Sequence, residues 1–312
     1  MEFRRLGYFL QIAELGSLSR ASERLSIAQP SLSRQVRLLE EELGVPLFIR
    51  RRRGMELTEA GEALHARITG PLRQIGHAFY EVRALPAADG GSVALGMPPS
   101  LVPILAGPLA RKVADQLPGV LLRITEAPNG HLLERIRRGE LDAAILYGPT
   151  PAGMNAAKLL EDELVLVGHS LAPLVPEGAM AFAQLGDLPM ILPGHQNGLR
   201  FAVEEAARKA GVKLQVRQRA DSLALIKELA RAGLGYAILP QHSIAREAAD
   251  GDLTFTSIQD PPIIRQLFLA LPKGTQSPQA VLNVEALLRR EVAGLIRQGR
   301  WANARALTVA DI

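Results

Sequence analysis

From Ser17 to Arg53 the chain reads SLSRASERLSIAQPSLSRQVRLLEEELGVPLFIRRRR, and no other stretch restricts the fold as much. Leu18, Ala21 and Leu25 recur at helical spacing behind Ser17, whose hydroxyl suits the first free N–H groups of a helix. Ser26-Ile27-Ala28 makes a turn. Pro30 then fits the first turn of a second helix, where a missing N–H breaks nothing. Along that helix Leu32, Val36, Leu39 and Leu43 fall in a narrow arc at about 100° per residue. The opposite side carries Pro30, Arg34 and Arg37, flanked by Gln29 and Ser33, with Ser31 beside them. Upstream, Phe3, Leu6, Phe9, Leu10 and Ala13 predict a helix over Phe3–Glu14 that Gly16 ends.

Downstream, Leu47, Ile49, Met55 and Leu57 alternate around Arg50-Arg51-Arg52-Arg53-Gly54, the pattern of a hairpin with arginines on its turn. Helix, turn, polar-faced helix and basic hairpin is the order of a winged helix-turn-helix, which lays one helix in the DNA major groove. Pro30, Arg34 and Arg37 sit in the half that enters the groove; Glu40, Glu41 and Glu42 come where the helix leaves it. A basic run alone is equally a solvated surface or a localisation tag. Placed directly after this helix pair, it is set to reach backbone phosphates. The charge distribution agrees: residues 1–55 hold ten arginines, no lysine and six acidic residues, while the whole chain carries only +4. Arginine's flat fork matches phosphate and guanine edges.

The rest of the composition mostly excludes. Cysteine is absent, which removes disulfides, thiolate metal sites and cysteine nucleophiles and fits a reducing cytosol. Met1-Glu2-Phe3-Arg4-Arg5 leads into an amphipathic pattern, not the apolar core of a secretory signal. Gly90 to Ala110 is uncharged over membrane-spanning length, but Pro98, Pro99, Pro103 and Pro108 interrupt it, so it reads as strand, loop and helix.

Thr58 is placed to cap a long helix in which Leu64, Ile68, Leu72, Ile75, Phe79 and Val82 form a heptad-like seam. Such a seam pairs with another helix or packs on its own domain, and Pro71 should kink or divide it. Residues 84–91 have the composition of a hinge. Beyond it, strands alternate with helices in an α/β pattern: strands at Val93–Met97, Leu121–Glu126, Ala143–Tyr147, Glu163–Val167, Met190–Leu192, Gln215–Arg219, Tyr236–Leu239 and Gln266–Leu271. Helices are expected at Leu101–Leu117, His131–Arg138, Leu199–Ala210, Ser222–Ala232 and Gln279–Gln298. In open α/β sheets ligands bind beyond the carboxyl ends of strands, against helix N-termini. Ser100, Asn129, His195, Asn197, Arg200 and Ser222 occupy such positions, with Arg200 the candidate charge partner for an acid. Each has a plainer reading: Ser100 and Ser222 as helix caps, Asn129 as a turn residue, His195 and Arg200 as surface residues.

The runs S-L-S-R-A-S-E-R-L, A-Q-P-S-L-S-R-Q-V-R-L-L-E-E-E-L-G, L-F-I-R and L-T-E-A-G closely resemble the amino-terminal domain of LysR-type transcriptional regulators. The resemblance covers residues 1 to about 65, with Ser22 standing where the family commonly has alanine. GELDAAI (139–145) and AGLGYAILP (232–240) resemble that family's effector domain, itself similar to type 2 periplasmic solute-binding proteins. The amino-terminal run, IRRRRG and DAAILYGP are most similar to the nitrogen-assimilation-control branch, some members of which act without a small-molecule inducer.

The resemblance implies an α/β chain in three parts: a winged helix-turn-helix over residues 1–58, a linker and dimerisation helix with its hinge over 59–90, and a two-lobed effector domain over 91–312. Lobe I would take 91–162 and 261–299, and lobe II 163–260. It places Gln29, Pro30, Ser33 and Arg34 on the recognition helix and Arg50 and its neighbours on the wing. It also implies a cytoplasmic homodimer or homotetramer on an inverted-repeat operator in double-stranded DNA, a small-molecule effector in the cleft, contact with RNA polymerase, and no membrane. No cofactor is expected, and residues 300–312 have no counterpart in the family.

The alternatives are weaker. As an enzyme, the chain offers Gly168-His169-Ser170-Leu171-Ala172, which ends in Ala where a nucleophile elbow has Gly. Its histidines (65, 77, 131, 169, 195 and 242) form no metal motif. Gly233-Leu234-Gly235 lacks the third glycine of a dinucleotide fingerprint. A solute-binding protein would fit the carboxy-terminal two-thirds but not the first 58 residues.

Overall fold

The structure, a computed structural model, describes residues 3–51, 54–83, 90–148, 153–171, 179–194, 198–273 and 277–306, without the side chains of 73, 74, 77, 78, 80–83 and 306. The chain forms two compact units, the first containing residues 1–83 and the second nearly all the rest.

In the first unit, α1 (Phe3–Leu15), α2 (Leu18–Leu25) and α3 (Gln29–Leu43) precede a two-stranded hairpin, β1 (Phe48–Arg51) and β2 (Gly54–Leu57), and a long α4 (Glu59–Arg83). Ser17 caps α2 by accepting from the Arg20 N–H, and Ser26 closes it in the left-handed conformation. Leu6, Phe9, Ile12, Leu32, Val36 and Leu39 are buried. Ile12 belongs to this core, while Phe3, expected on the inward face, is exposed.

Several polar groups fix the join between helices and wing. Glu40 Oε1 accepts from the backbone N–H groups of Leu47 and Phe48, so this glutamate holds the chain as it enters β1. Thr58 caps α4 by accepting from Gly61, and its own hydroxyl donates to the Pro46 carbonyl. Gly61 is needed there because a Cβ would lie 2.2 Å from the Leu47 carbonyl oxygen. Of the kink or division expected at Pro71, the division does not occur: α4 runs unbroken through it. The first half of its seam, Leu64, Ile68 and Leu72, packs partly buried on Leu6, Phe9, Leu39 and Leu47 of its own unit. Further along, Ile75 is half-buried and Phe79 is exposed; Val82 falls among the undescribed side chains.

The second unit holds β3 (Gly91–Met97), α5 (Gly107–Gln116), β4 (Val120–Glu126), α6 (Asn129–Arg137), β5 (Ala143–Tyr147), β6 (Met154–His169), β7 (Ala179–Ala181) and β8 (Pro189–Leu192). They are followed by α7 (Gly198–Ala210), β9 (Gln215–Arg219), α8 (Leu223–Arg231), β10 (Tyr236–Pro240), α9 (Ala245–Ala249), β11 (Leu253–Gln259), β12 (Ile264–Pro272), α10 (Gln279–Arg297) and β13 (Ala304–Ala306). The strand order is β4-β3-β5-β12-β6-β10-β8-β9, with β11 and β13 on β6 and β7 on β11.

β6 organises this sheet. It is sixteen residues long, where the sequence suggested only Glu163–Val167. Its first part pairs antiparallel with β12, and its last part pairs with β10 on one side and β11 on the other. One strand therefore threads two half-sheets, and the passage falls at Asp162-Glu163. The expected helix over Leu101–Leu117 is also divided: a 3-10 turn (Pro99–Leu101), a π-helical turn (Val102–Ala106), then α5. Pro99, Pro103 and Pro108 each lack the N–H that a continuous α-ladder requires.

Candidate DNA-binding face and interlobe cleft

In the first unit, α3 turns Leu32, Val36 and Leu39 inward and leaves Gln29, Pro30, Ser31, Arg34 and Arg37 exposed, with Ser33 half-buried. Arg34 and Arg37 form no ion pair among the described residues. Ser19 donates to Gln29 Oε1 at 3.2 Å, which orients the amide and leaves its N–H groups to donate elsewhere. Arg50 Nη2 donates to Ser33 Oγ at 3.3 Å, tying wing to helix. Arg51 pairs with Glu56 across the hairpin at 3.1 Å. Arg52 and Arg53 lie outside the described residues. Arg20, exposed at the start of α2, is a cation on this unit that the sequence reading did not single out.

The second unit has a narrow cleft between its half-sheets. Its lining includes Ser100, Tyr147, Asp221, Ser222 and Arg265, with prolines 98, 99, 128, 193 and 240. The cavity is about 40 Å³, room for a few water molecules. At its floor Arg265 makes a fork with Asp162, Nε to Oδ1 at 2.8 Å and Nη2 to Oδ2 at 2.6 Å. Its Nη1 donates to Ser100 Oγ at 3.0 Å. The guanidinium carbon lies 5.2 Å from the Tyr147 ring centre. Both charged residues are 2% exposed. Burial works against the Arg265 charge, but the adjacent Asp162 carboxylate outweighs it and holds the guanidinium above its ordinary range. Burial pushes the Tyr147 phenol up, against the pull of Arg265.

The candidate ligand residues fare differently. Ser100 and Ser222 line the cleft, but Ser100 is bonded to Arg265 and Ser222 caps α8 by accepting from Leu225. Asn129 is engaged on both sides of its amide, donating to the Tyr147 carbonyl and accepting from the Tyr147 N–H, so it braces β5. Arg200, expected as the charge partner of an acid, is instead buried, with Nε on Glu204 and Nη1 on the Pro193 carbonyl. Its guanidinium is spent on the chain that leads into α7. His195 and Asn197 lie outside the described residues. Arg265, Asp162, Tyr147 and Asp221 were missed. The one available signal was Arg265 itself, a lone charge inside the apolar run IIRQLFLAL.

Among the described residues no group of acidic or histidine side chains could hold a metal ion, and no helix is long and apolar enough to cross a membrane. Gly168-His169 ends β6, and His169 Nδ1 accepts from the Leu171 N–H.

Residues 3–62 match the model for the bacterial regulatory helix-turn-helix proteins of the lysR family, and residues 86–293 match the LysR substrate binding domain. The nitrogen assimilation regulatory protein nac of Escherichia coli is 32% identical over 96% of this chain and 99% of its own length. The regulator BbuR of Bordetella bronchiseptica is 30% identical over 95% of this chain and 91% of its own. Among solved structures, a full-length OxyR variant from Pseudomonas aeruginosa superposes with a TM-score of 0.73 at 24% identity, covering 99% of this chain and 98% of that one. Full-length CbnR in complex with its target DNA gives 0.71 at 23% identity, over 93% of this chain and 100% of that one. With both family models matched in order, the chain belongs to the LysR family of DNA-binding transcriptional regulators.

Proposed function

We propose that this regulator binds an inverted-repeat operator in double-stranded DNA as a homodimer or homotetramer, and does so in the cytoplasm without a catalytic step of its own. The observation that carries this reading is the outer face of α3, where Gln29, Arg34 and Arg37 stand exposed with their donors uncommitted to ion pairs. One such helix reads one half-site, so a repeated operator requires a second copy. The exposed Phe79, late in the α4 seam, favours helix-to-helix pairing there. Two linked half-sites also gain from effective concentration.

The effector would enter the cleft beside Ser100, Ser222 and Arg265. The cleft is narrow, with about 40 Å³ of free volume, so an effector would act by favouring a wider lobe arrangement over this one. That change would alter the spacing or bend of the bound DNA, and with it contact to RNA polymerase. A gel-shift titration on the DNA upstream of the protein's own gene, with a salt series, tests the operator reading. A sequence-preferring complex containing two or four chains is expected; binding equal to that of random DNA at moderate salt would defeat it. A thermal-shift screen of small carboxylates and aromatic acids tests the cleft, with a raised melting temperature that is lost in Ser222→Ala as the expected result.

A further inference from the structure

Residues 299–306 follow α10 and lie beyond the region that matches the family model. Trp301 is nevertheless 1% exposed and is the largest fully buried side chain among the described residues. Its ring stands edge-on to His242 at 4.9 Å, against the 3-10 turn Gln241–Ile244 that follows β10. Asn303 takes the left-handed conformation, with φ of 58°, and donates to the Gln241 side chain at 3.0 Å. Its carbonyl accepts from the Glu163 N–H at 2.9 Å. β13 then pairs antiparallel with β6, Ala304 opposite Asp162, Arg305 opposite Glu161 and Ala306 opposite Leu160.

These contacts span the two half-sheets. α10 packs on α5 and β3 of the first half-sheet. The Gln241–Ile244 turn belongs to the second half-sheet and also meets the Pro99–Leu101 turn of the first. Leu160 to Glu163 is where β6 passes from one half-sheet to the other, and Asp162 is the residue that grips Arg265. One short segment therefore touches both halves and the strand between them. It meets β6 through the backbone of Asp162, whose side chain on the same strand holds Arg265.

We propose that residues 299–306 are an interlobe brace, which holds the Gln241–Ile244 turn of the second half-sheet against β6 and the Pro99–Leu101 turn of the first and so keeps the cleft narrow. A β-ladder on an edge of β6 resists bending of that strand. A buried indole seated on the turn resists its withdrawal from the first half-sheet. With both in place the closed arrangement is the resting one, and loosening the brace opens the cleft. This goes beyond operator binding and does not depend on it.

Hydrogen exchange by mass spectrometry on the full-length protein tests the brace, with two truncations for comparison. A chain ending at residue 306 should exchange like the intact one. A chain ending at residue 299 should stay cooperatively folded. Its exchange should rise at least tenfold in residues 160–164, in the Gln241–Ile244 turn and around Ser100, and remain unchanged in β8, β9 and α7. A rise spread evenly over the whole second unit would make Trp301 ordinary core and overturn the proposal, as would no change at those three places. If the shorter chain fails to fold, Gln241→Ala decides, since it removes the Asn303 partner while leaving Trp301 and β13 intact. Faster exchange at the same three places supports the brace; unchanged exchange there overturns it. A gel shift on each variant reports DNA binding separately, so loss of the operator complex cannot be mistaken for failure of the brace.

Discussion

At the residue scale, the arginines of the first unit divide by what already holds them. Arg34 is exposed and free of ion pairs, so its fork is available to a base edge, whereas Arg50 is bonded to Ser33. Arg34→Ala should weaken the operator complex by roughly 1–3 kcal/mol and relax preference at one position of each half-site. Arg50→Ala should instead loosen the seating of the wing and weaken binding to all sequences alike. Quantitative gel shifts on operators randomised at single positions separate the two, and a specificity change confined to Arg50→Ala would reverse the assignment. A second prediction concerns His242. Burial, reinforced by the positive Arg265, lowers its pKa from 6.5 to about 4, with Asp162 pulling the other way. The unfolded chain therefore binds the proton more readily than the folded one. The stability conferred by the neutral imidazole is full above about pH 6.5 and is lost as pH falls toward 4, at most about 3 kcal/mol across that window. Denaturant titrations of the wild type and His242→Gln between pH 7 and 4 should converge at the acid end. Parallel curves would rule out this histidine as the source.

At the scale of elements, the first unit was legible because its signals are local. Gly16, Ser17, Pro30 and Thr58 mark helix ends through groups within four residues, and the buried stripe of α3 follows from spacing alone. The second unit was legible only in outline. β11 and β13 were not anticipated, since their pairing with β6 is tertiary; Leu253–Gln259 alternates through Leu-Thr-Phe-Thr but slips at Thr256-Ser257, and β13 is only three residues long. The cleft was less legible still. Arg265 meets Asp162 across 103 residues of sequence and Ser100 across 165, and Asp162 lies within an acidic run, EDE, that reads as solvated surface. Arg200 misled for the opposite reason: its place at the start of α7 suited a ligand, but Glu204, one turn on, claims it. α4 offers an element-scale test of the join between wing and helix. Thr58 both caps α4 and donates to Pro46, so Thr58→Ala should cost about 1 kcal/mol or more. Gly61→Ala should cost more than the cap, because its Cβ meets backbone that cannot swing away. Thermal melts of the two variants should rank in that order.

At the scale of the whole molecule, the question is how many copies of the basic wing reach DNA at once. Each phosphate neutralised by an arginine releases counterion, and the logarithm of affinity falls with the logarithm of salt by about 0.9 per contact. Arg51 is mostly exposed, and its pair with Glu56 is of the surface kind that contributes under about 1 kcal/mol. Exchanging that partner for a phosphate is therefore cheap, and Arg51→Ala removes a backbone contact without disturbing α3. In a complex of one chain the salt slope should flatten by about 0.9; with two chains on an inverted repeat every substitution is made twice, and it should flatten by roughly 1.8. Base preference should stay unchanged in both cases. Fluorescence anisotropy on a full operator and on an isolated half-site, each over a range of salt, measures the two numbers directly. A change of about 1.8 on the full operator and 0.9 on the half-site would place two wings on the DNA. Equal changes on both would mean that one wing binds and the second copy is held elsewhere.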